Sequence, residues 1–293
     1  MRLLELFCDV DDFYRSYAPQ WQRQLIETGQ QQRCRQSRLS DSEIMTIMIH
    51  FHQSHYRDFK AFYQRHVAVY LRSEFPELVS YSRFVELMSR VLVPLCAYLK
   101  SRYDTGTGIA YIDSTRIPVC HNKRITRNRV FTDMARLGKS TMGWFYGFKL
   151  HLIVNDRGGI LGVNVTPGNT DDRVPVPAMT ARLWGKLFAD KGYISKALHA
   201  QLFEKGIELI TSIRKNMNPQ LMTMVDKLLL RKRYIIETIN DQLKNISQVE
   251  HSRHRSITNF MVNLVCALIA YSHQHKKPAI NINRMTHQAI MSA

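Results

Sequence analysis

Behind Ser40-Asp41-Ser42-Glu43, apolar residues fall at Ile44, Ile47, Met48 and Phe51. This i, i+3, i+4, i+7 spacing marks one buried face of a helix. Ser40 and Glu43 supply its capping box, a short acceptor at the N-cap and a carboxylate at the third helical position. A second stripe, Phe84, Leu87, Met88, Val91, Leu92 and Leu95, predicts another helix beginning near Ser82. Between the two, Tyr56 to Arg72 alternates aromatic and basic residues and predicts a third. The first hundred residues are therefore read as helical. A helix-turn-helix DNA reader and a plain three- or four-helix bundle share this pattern.

The pattern changes at Thr105-Gly106-Thr107-Gly108. Ile109 to Asp113 is a short apolar run, predicted as a buried strand ending in an acid. Trp144 to Val154 and Ile160 to Thr166 are β-rich runs joined by Asn155-Asp156-Arg157-Gly158-Gly159, a hairpin connection. Trp144 and Phe145, which open the first of these runs, read as core rather than as base-stacking platforms. A helix is predicted from about Asp172 to Trp184, a strand over Lys186–Asp190, and a helix over Lys196–Glu204 stopped by Gly206. A further strand follows over Glu208–Ile213, then helices from Pro219 to about Ile246 and from Ile257 to Tyr271. The result is an α/β fold: a mixed five-stranded sheet flanked by helices and preceded by an all-helical N-terminal domain. The order matches a ribonuclease-H-like fold, and other α/β sheets as well. Residues 1–104, 105–275 and 276–293 are the expected helical domain, sheet domain and unassigned tail.

Charge narrows the partners. The 293 residues carry 41 Lys and Arg against 24 Asp and Glu, a net charge of +17. Residues 1–104 contribute only +2, and residues 105–293 the remaining +15. Such a surface attracts polyanions, nucleic acid first and an anionic membrane second. The five scattered cysteines form no CxxC pair and read as reduced thiols. The N-terminus turns acidic too early for a signal peptide, and the most apolar run, Phe260 to Tyr271, is too short to span a bilayer. A cytoplasmic location is expected, without membrane association. His50, His52 and His55 are expected on a helix, but His50 and His52 diverge too far to share a metal and read as core or surface histidines.

Asp113 and Asp190 each end a predicted strand, where functional groups gather in sheets of this kind. Glu237 lies in the long helix with Arg233 and Lys244 on the same face. Offsets of four and seven residues place them within about 40° of one another. The opposite seam, Ile236, Ile239, Leu243 and Ile246, is expected to pack on the sheet. Two carboxylates about 4 Å apart repel by roughly 4 kcal/mol at an effective dielectric of 20. Gathered acids need protons or cations, and hard carboxylate oxygens suit Mg²⁺, with Mn²⁺ as a substitute. Two such ions serve an in-line displacement at phosphorus. Each acid taken alone also has an ordinary explanation, as a turn, cap or salt-bridge residue.

At these residues the chain resembles the DDE transposases of bacterial insertion sequences, particularly the insertion-sequence 982 group. The matching pieces are Tyr111-Ile112-Asp113-Ser114-Thr115, Gly168-Asn169-Thr170-Asp171-Asp172-Arg173, Ala189-Asp190-Lys191-Gly192-Tyr193-Ile194 and the stretch Arg231 to Ile246. The last carries Arg233-x3-Glu237-x6-Lys244, with Leu230 where the group's motif has Tyr. Leu6 to Phe13 and Leu39 to Tyr56 look like the same group. The resemblance covers about residues 1–272. It implies a ribonuclease-H-like catalytic domain, a divalent-metal triad of Asp113, Asp190 and Glu237, and recognition of the element's terminal inverted repeats in double-stranded DNA. The activity implied is cleavage at those ends and joining of the 3′-hydroxyls to target DNA by a homodimer.

Arg116 to Lys139 carries seven cations against one acid, Asp133. Arg116, Lys123, Arg124, Arg127 and Arg129 are read as DNA-backbone contacts, with a solvated loop as the alternative. Arg233 and Lys244 are expected to hold phosphates beside Glu237, and Arg253 and Arg255 to extend that track. Asp171 and Asp172 rival the triad. N-capping explains at least one, and support of the triad from behind is the other role open to them. A nuclease without strand joining and a catalytically inactive DNA-binding relative remain the competing readings.

Overall fold

The computed structural model describes residues 2–29, 37–212, 222–250 and 254–280. Cys34, His251, Arg253 and the start of the helix expected at Pro219 lie outside them, as does most of the tail. The chain divides into two compact units. One comprises residues up to Arg102 together with Leu243–His275; the other comprises Tyr103–Gln242 with the residues from Lys276.

The first unit is helical. Its elements are α1 (Leu3–Glu27), α2 (Asp41–Gln53), α3 (Phe59–Phe62), a π-helical turn (Tyr63–Val67), α4 (Ala68–Tyr70), α5 (Tyr81–Leu87), a 3₁₀ turn (Met88–Val91) and α6 (Leu92–Ser101). The capping box on α2 is present in both directions, Ser40 Oγ with Glu43 N and Glu43 with Ser40 N. The second stripe starts at Tyr81, beside the predicted start near Ser82, with Ser80 as its cap. The later helix Ile257–Ser272 (α11 below) is buried along nearly its whole length and packs on α2 and α6. His52 lies in this core with Nδ1 2.9 Å from the Ser247 carbonyl oxygen, and burial depresses its pKa to about 4. It is a core histidine, one of the two readings expected, bonded at Nδ1 while its buried Nε2 has no hydrogen-bond partner among the described residues. His55 falls past the end of α2, at φ 60°.

The second unit is built on a six-stranded mixed sheet. Its strands are β1 (Ile109–Cys120), β2 (Arg136–Ser140), β3 (Gly143–Asn155), β4 (Ile160–Pro167), β5 (Gly185–Ala189) and β6 (Ile207–Thr211). β3 pairs antiparallel with β1, β2 and β4; β5 pairs parallel with β1 and with β6. Three antiparallel strands followed by parallel ones, flanked by helices and accompanied by the N-terminal helices, make a ribonuclease-H-like fold. The strand not foreseen is β2. It shares one edge of β3 end to end with β4, a junction that only glycine allows: a Cβ on Gly138 would lie 2.1 Å from the Gly168 carbonyl oxygen.

Other departures have local causes. β1 continues past Asp113 to Cys120 because β3 is long enough to keep pairing with it. The helix expected over residues 172–184 is one turn, α7 (Val176–Met179). Pro175 and Pro177 remove amide donors and push the residues before them out of the helical region. Phe145 is core at 3% exposure, but Trp144 is 55% exposed. Neighbours on a strand point to opposite faces, and only Phe145's face is covered. After α8 (Lys196–Phe203), the long C-terminal helix breaks at Lys232 into α9 (Met224–Arg231) and α10 (Tyr234–Asn245), followed by α11 (Ile257–Ser272). Of the predicted seam, Ile236, Ile239 and Leu243 are buried, while Ile246 lies beyond the helix end at 39% exposure.

Candidate active site

The parallel register of β1 and β5 aligns Tyr111 with Phe188. Two residues further on come Asp113, within β1, and Asp190, just past the end of β5, so the two acids lie on neighbouring strands side by side. The rings of Tyr111 and Phe188 stack beneath them at 5.4 Å, and the Tyr111 hydroxyl donates to the Leu229 carbonyl oxygen of α9. This face of the sheet is therefore the one covered by α9. Asp190 turns the chain: its Oδ1 accepts the Lys191 amide at 2.6 Å, capping the short 3₁₀ turn Lys191–Tyr193.

Arg233 occupies the break between α9 and α10. Its Nη2 donates to Glu237 Oε1 at 2.5 Å and its Nη1 lies 3.7 Å from Asp113 Oδ1. One turn beyond Glu237, Asn240 donates from Nδ2 to Asp113 Oδ2 at 3.1 Å. Asn240 is buried, and its own Oδ1 makes no hydrogen bond. Burial is the main reason that the Asp113 carboxyl is pushed up to about 6, with Arg233 opposing and the charges of Glu237 and Asp190 adding to the rise. The three acids named from the sequence thus share one electrostatic neighbourhood. Glu237 is also held by Arg233, as an i, i+4 pair.

Two depressions meet at Asp190. One runs over Ser212, Lys227, Leu230, Arg231 and Arg233. The other is lined by Asp113, Ser114, Arg116, Lys139, Phe145, Lys149, Asp172 and Tyr193, among others. Acids and cations line them together. Asp172 lines this second depression, with Lys149 Nζ donating to its Oδ1 at 2.9 Å and to the Thr170 carbonyl oxygen at 2.8 Å. Asp171 instead forms a two-pronged pair with Arg173 and accepts its amide, an Asx turn, so it has its own local explanation.

Of the predicted DNA contacts, Arg116 lines the depression, while Lys123, Arg124, Arg127 and Arg129 are exposed on and just after the 3₁₀ segment Asn122–Arg127. Lys244 is paired with Glu250 at 2.7 Å and, like exposed Arg255, belongs to the helical unit. Asn240 and Lys149 were not singled out from the sequence. Each had a readable signal, one polar residue interrupting a buried seam: Asn240 beside Ile236, Ile239 and Leu243, and Lys149 within the apolar run of β3.

A family model described as Transposase DDE domain matches residues 103–257. The match spans more than half of the chain, and the chain belongs to this family of transposases, enzymes that recombine DNA and generally depend on divalent metal. No curated protein matches it. Among the described residues, no helix is long and apolar enough to cross a membrane.

The donor chemistry fits such an ion. Asp113, Asp190 and Glu237 offer hard oxygens, and the Asp113 carboxyl, raised mainly by burial and further by the other two acids, sits where a cation would favour its charged form. Among the described residues no three His, Cys, Asp or Glu side chains close into a cage. In this conformation the Arg233 guanidinium, touching both Asp113 and Glu237, supplies the positive charge between them.

Proposed function

We propose that this transposase belongs to the insertion-sequence 982 group, cleaves DNA at the element's ends and joins the resulting 3′-hydroxyls to target DNA. The reading rests above all on Asp113: a mostly buried carboxylate on a central strand, raised chiefly by its burial and further by the charges of Glu237, on α10, and Asp190, just past β5. Asp113, Asp190 and Glu237 would hold Mg²⁺, or Mn²⁺ in its place. The bound ions would activate the attacking water or hydroxyl and stabilise the departing oxygen. The chain's own groups do the rest. Asn240 and Arg233 orient the Asp113 carboxylate. Lys149 fixes Asp172 behind the site. Arg116 and Lys139 on one side of Asp190, and Lys227 and Arg231 on the other, neutralise the phosphates of a strand laid along the two depressions.

Two displacements follow. Water attacks the phosphorus at the element's end, the element's 3′-oxygen leaves with a proton, and a 3′-hydroxyl is exposed. That hydroxyl then attacks a target phosphodiester, and the target strand's own 3′-oxygen departs. No enzyme side chain is covalently bonded in either step. Recognition of the inverted repeats is assigned to the helical unit, within residues 1–104 and with Lys244 and Arg255 as phosphate contacts; residues 105–242 are assigned the chemistry. A homodimer acting in the cytoplasm fits an element with two ends to be cut and joined at one target.

The test uses a labelled duplex carrying the element's end, an unlabelled target and Mg²⁺. Cleavage followed by joined product is expected, with both lost in Asp113→Ala, Asp190→Ala and Glu237→Ala while end binding persists. Cleavage without joining would make the protein a nuclease, tight binding without cleavage an inactive relative, and full activity in Glu237→Ala would dispose of the triad.

A further inference from the structure

Several large apolar side chains are exposed in the most basic segment of the sheet-bearing unit, although others, such as Trp184 and Phe203, are exposed elsewhere in it. Met134 is 46% exposed, Leu137 45%, Met142 77% and Trp144 55%. Leu137 and Trp144 lie on the β2–β3 hairpin, and Met142 is at its turn. Lys139 pairs directly with Trp144 across the hairpin, and its Nζ sits 5.7 Å from the centroid of the indole. An Arg116 Nη2 lies 3.6 Å from the Met142 sulfur. On the other side of the strand, Asn122 Nδ2 donates to the Trp144 carbonyl oxygen at 2.8 Å, tying the cationic 3₁₀ segment to the hairpin.

The hairpin has two unlike faces. Phe145 is buried and lines the depression that holds Asp113 and Asp190; Lys139, Ser140 and Thr141 line the same depression. Trp144 alternates to the opposite face, where Lys139 Nζ lies over its indole and Arg116 lies beside the Met142 thioether. Cations there suit phosphates. A phosphate can engage an indole only through its single Nε1–H, which leaves the apolar rings and π faces unused. A base still inside a duplex has both faces occupied by its neighbours. A base displaced from the stack presents a free π face attached to the phosphates that the surrounding cations would hold.

We propose that Trp144, with Met142 beside it, is a stacking platform for one unstacked base of the DNA strand whose phosphates lie in the adjoining depression. The inference rests on the reading of that depression as the phosphodiester-transfer site. It adds that the enzyme prefers DNA in which a base next to the reacting phosphate is unpaired. Met142 and Leu137 supply apolar contact at the platform's edge, and Lys139 holds the indole from its other side.

The test is binding of the full chain, without divalent metal, to a duplex bearing a single-stranded 3′ extension and to the same duplex fully paired. Wild type should favour the extended DNA. Trp144→Ala should weaken binding to the extended DNA by about 5- to 150-fold, with less than a twofold change on the paired duplex. Trp144→Phe should restore most of the loss and Trp144→Leu little of it. 2-Aminopurine in the extension should be quenched by wild type and by Trp144→Phe, and not by Trp144→Ala. Equal losses on both DNAs, or Leu matching Phe, would overturn the platform. Asp113→Ala, run in parallel for cleavage, separates the two readings. If it still cuts DNA, the site assignment fails even where the Trp144 preference stands. If it is inactive and Trp144→Ala binds normally, only the platform fails.

Discussion

Asp113 and Asp171 both lie beside an arginine in the sheet-bearing unit, yet their surroundings drive them in opposite directions. Asp171 keeps 45% of its side chain in solvent and meets Arg173 through two hydrogen bonds, which pull its pKa down to about 2. Asp113 keeps only 22%, its arginine is 3.7 Å away and shared with Glu237, and desolvation lifts it to about 6. An arginine therefore sets a carboxylate's state where it hydrogen-bonds to it directly at an exposed site, and is outweighed where burial dominates. Access to water makes the difference at Asp113. Asp171 is satisfied as it stands, whereas Asp113 holds charge that calls for a further cation.

The largest effect that separates the two is on chemistry. Asp113→Ala should reduce Mg²⁺-dependent cleavage by about 10³-fold or more, while Asp171→Ala should stay within a few-fold, measured on one labelled duplex. Equal losses would erase the distinction. Next comes stability in the absence of metal. Because the folded-state pKa of Asp113 is raised, the folded protein binds more protons than the unfolded chain between about pH 4 and 6. Stability from this group accordingly falls as pH rises through that window and stays low above it. Asp113→Asn should stabilise the metal-free protein at pH 8 by up to about 3 kcal/mol, and the gain should vanish near pH 4. Chemical denaturation at the two pH values checks it, and a gain that persists at pH 4 would contradict the cause assigned.

A smaller effect is expected at Asn240. Asn240→Leu removes the amide donor from Asp113 at similar volume, so the apparent pKa of the pH–cleavage profile should move upward and maximal cleavage should fall about tenfold. An unchanged profile with reduced activity would make Asn240 a packing residue only. Smallest is Asp171→Asn, whose exposed pair should change stability by less than about 1 kcal/mol, with the difference shrinking further in high salt.

Element types were largely legible in the sequence, because apolar periodicity is a local property. The helical stripe of α2, the capping box at Ser40 and the β3–β4 hairpin all follow from neighbours in the chain. Less legible was where pairing and breaks occur. The continuation of β1 to Cys120 depends on the length of a strand some thirty residues away. The break at Lys232 leaves no proline or glycine to mark it. The two prolines that cut α7 short were visible, and their effect outweighs the apolar spacing around them. Trp144 was misplaced because composition cannot say which face of a two-stranded edge is covered.

For the candidate site, residue chemistry and family motif named Asp113, Asp190 and Glu237, since acids at strand ends and on a polar helical face are readable one element at a time. Tertiary structure alone decided that Tyr111 aligns with Phe188, that Arg233 stands between two of the acids, and that Asn240 reaches Asp113 across 127 residues of chain. The reason is physical. Periodicity and propensity act over a few residues, whereas desolvation and Coulomb coupling depend on which distant segments exclude water together.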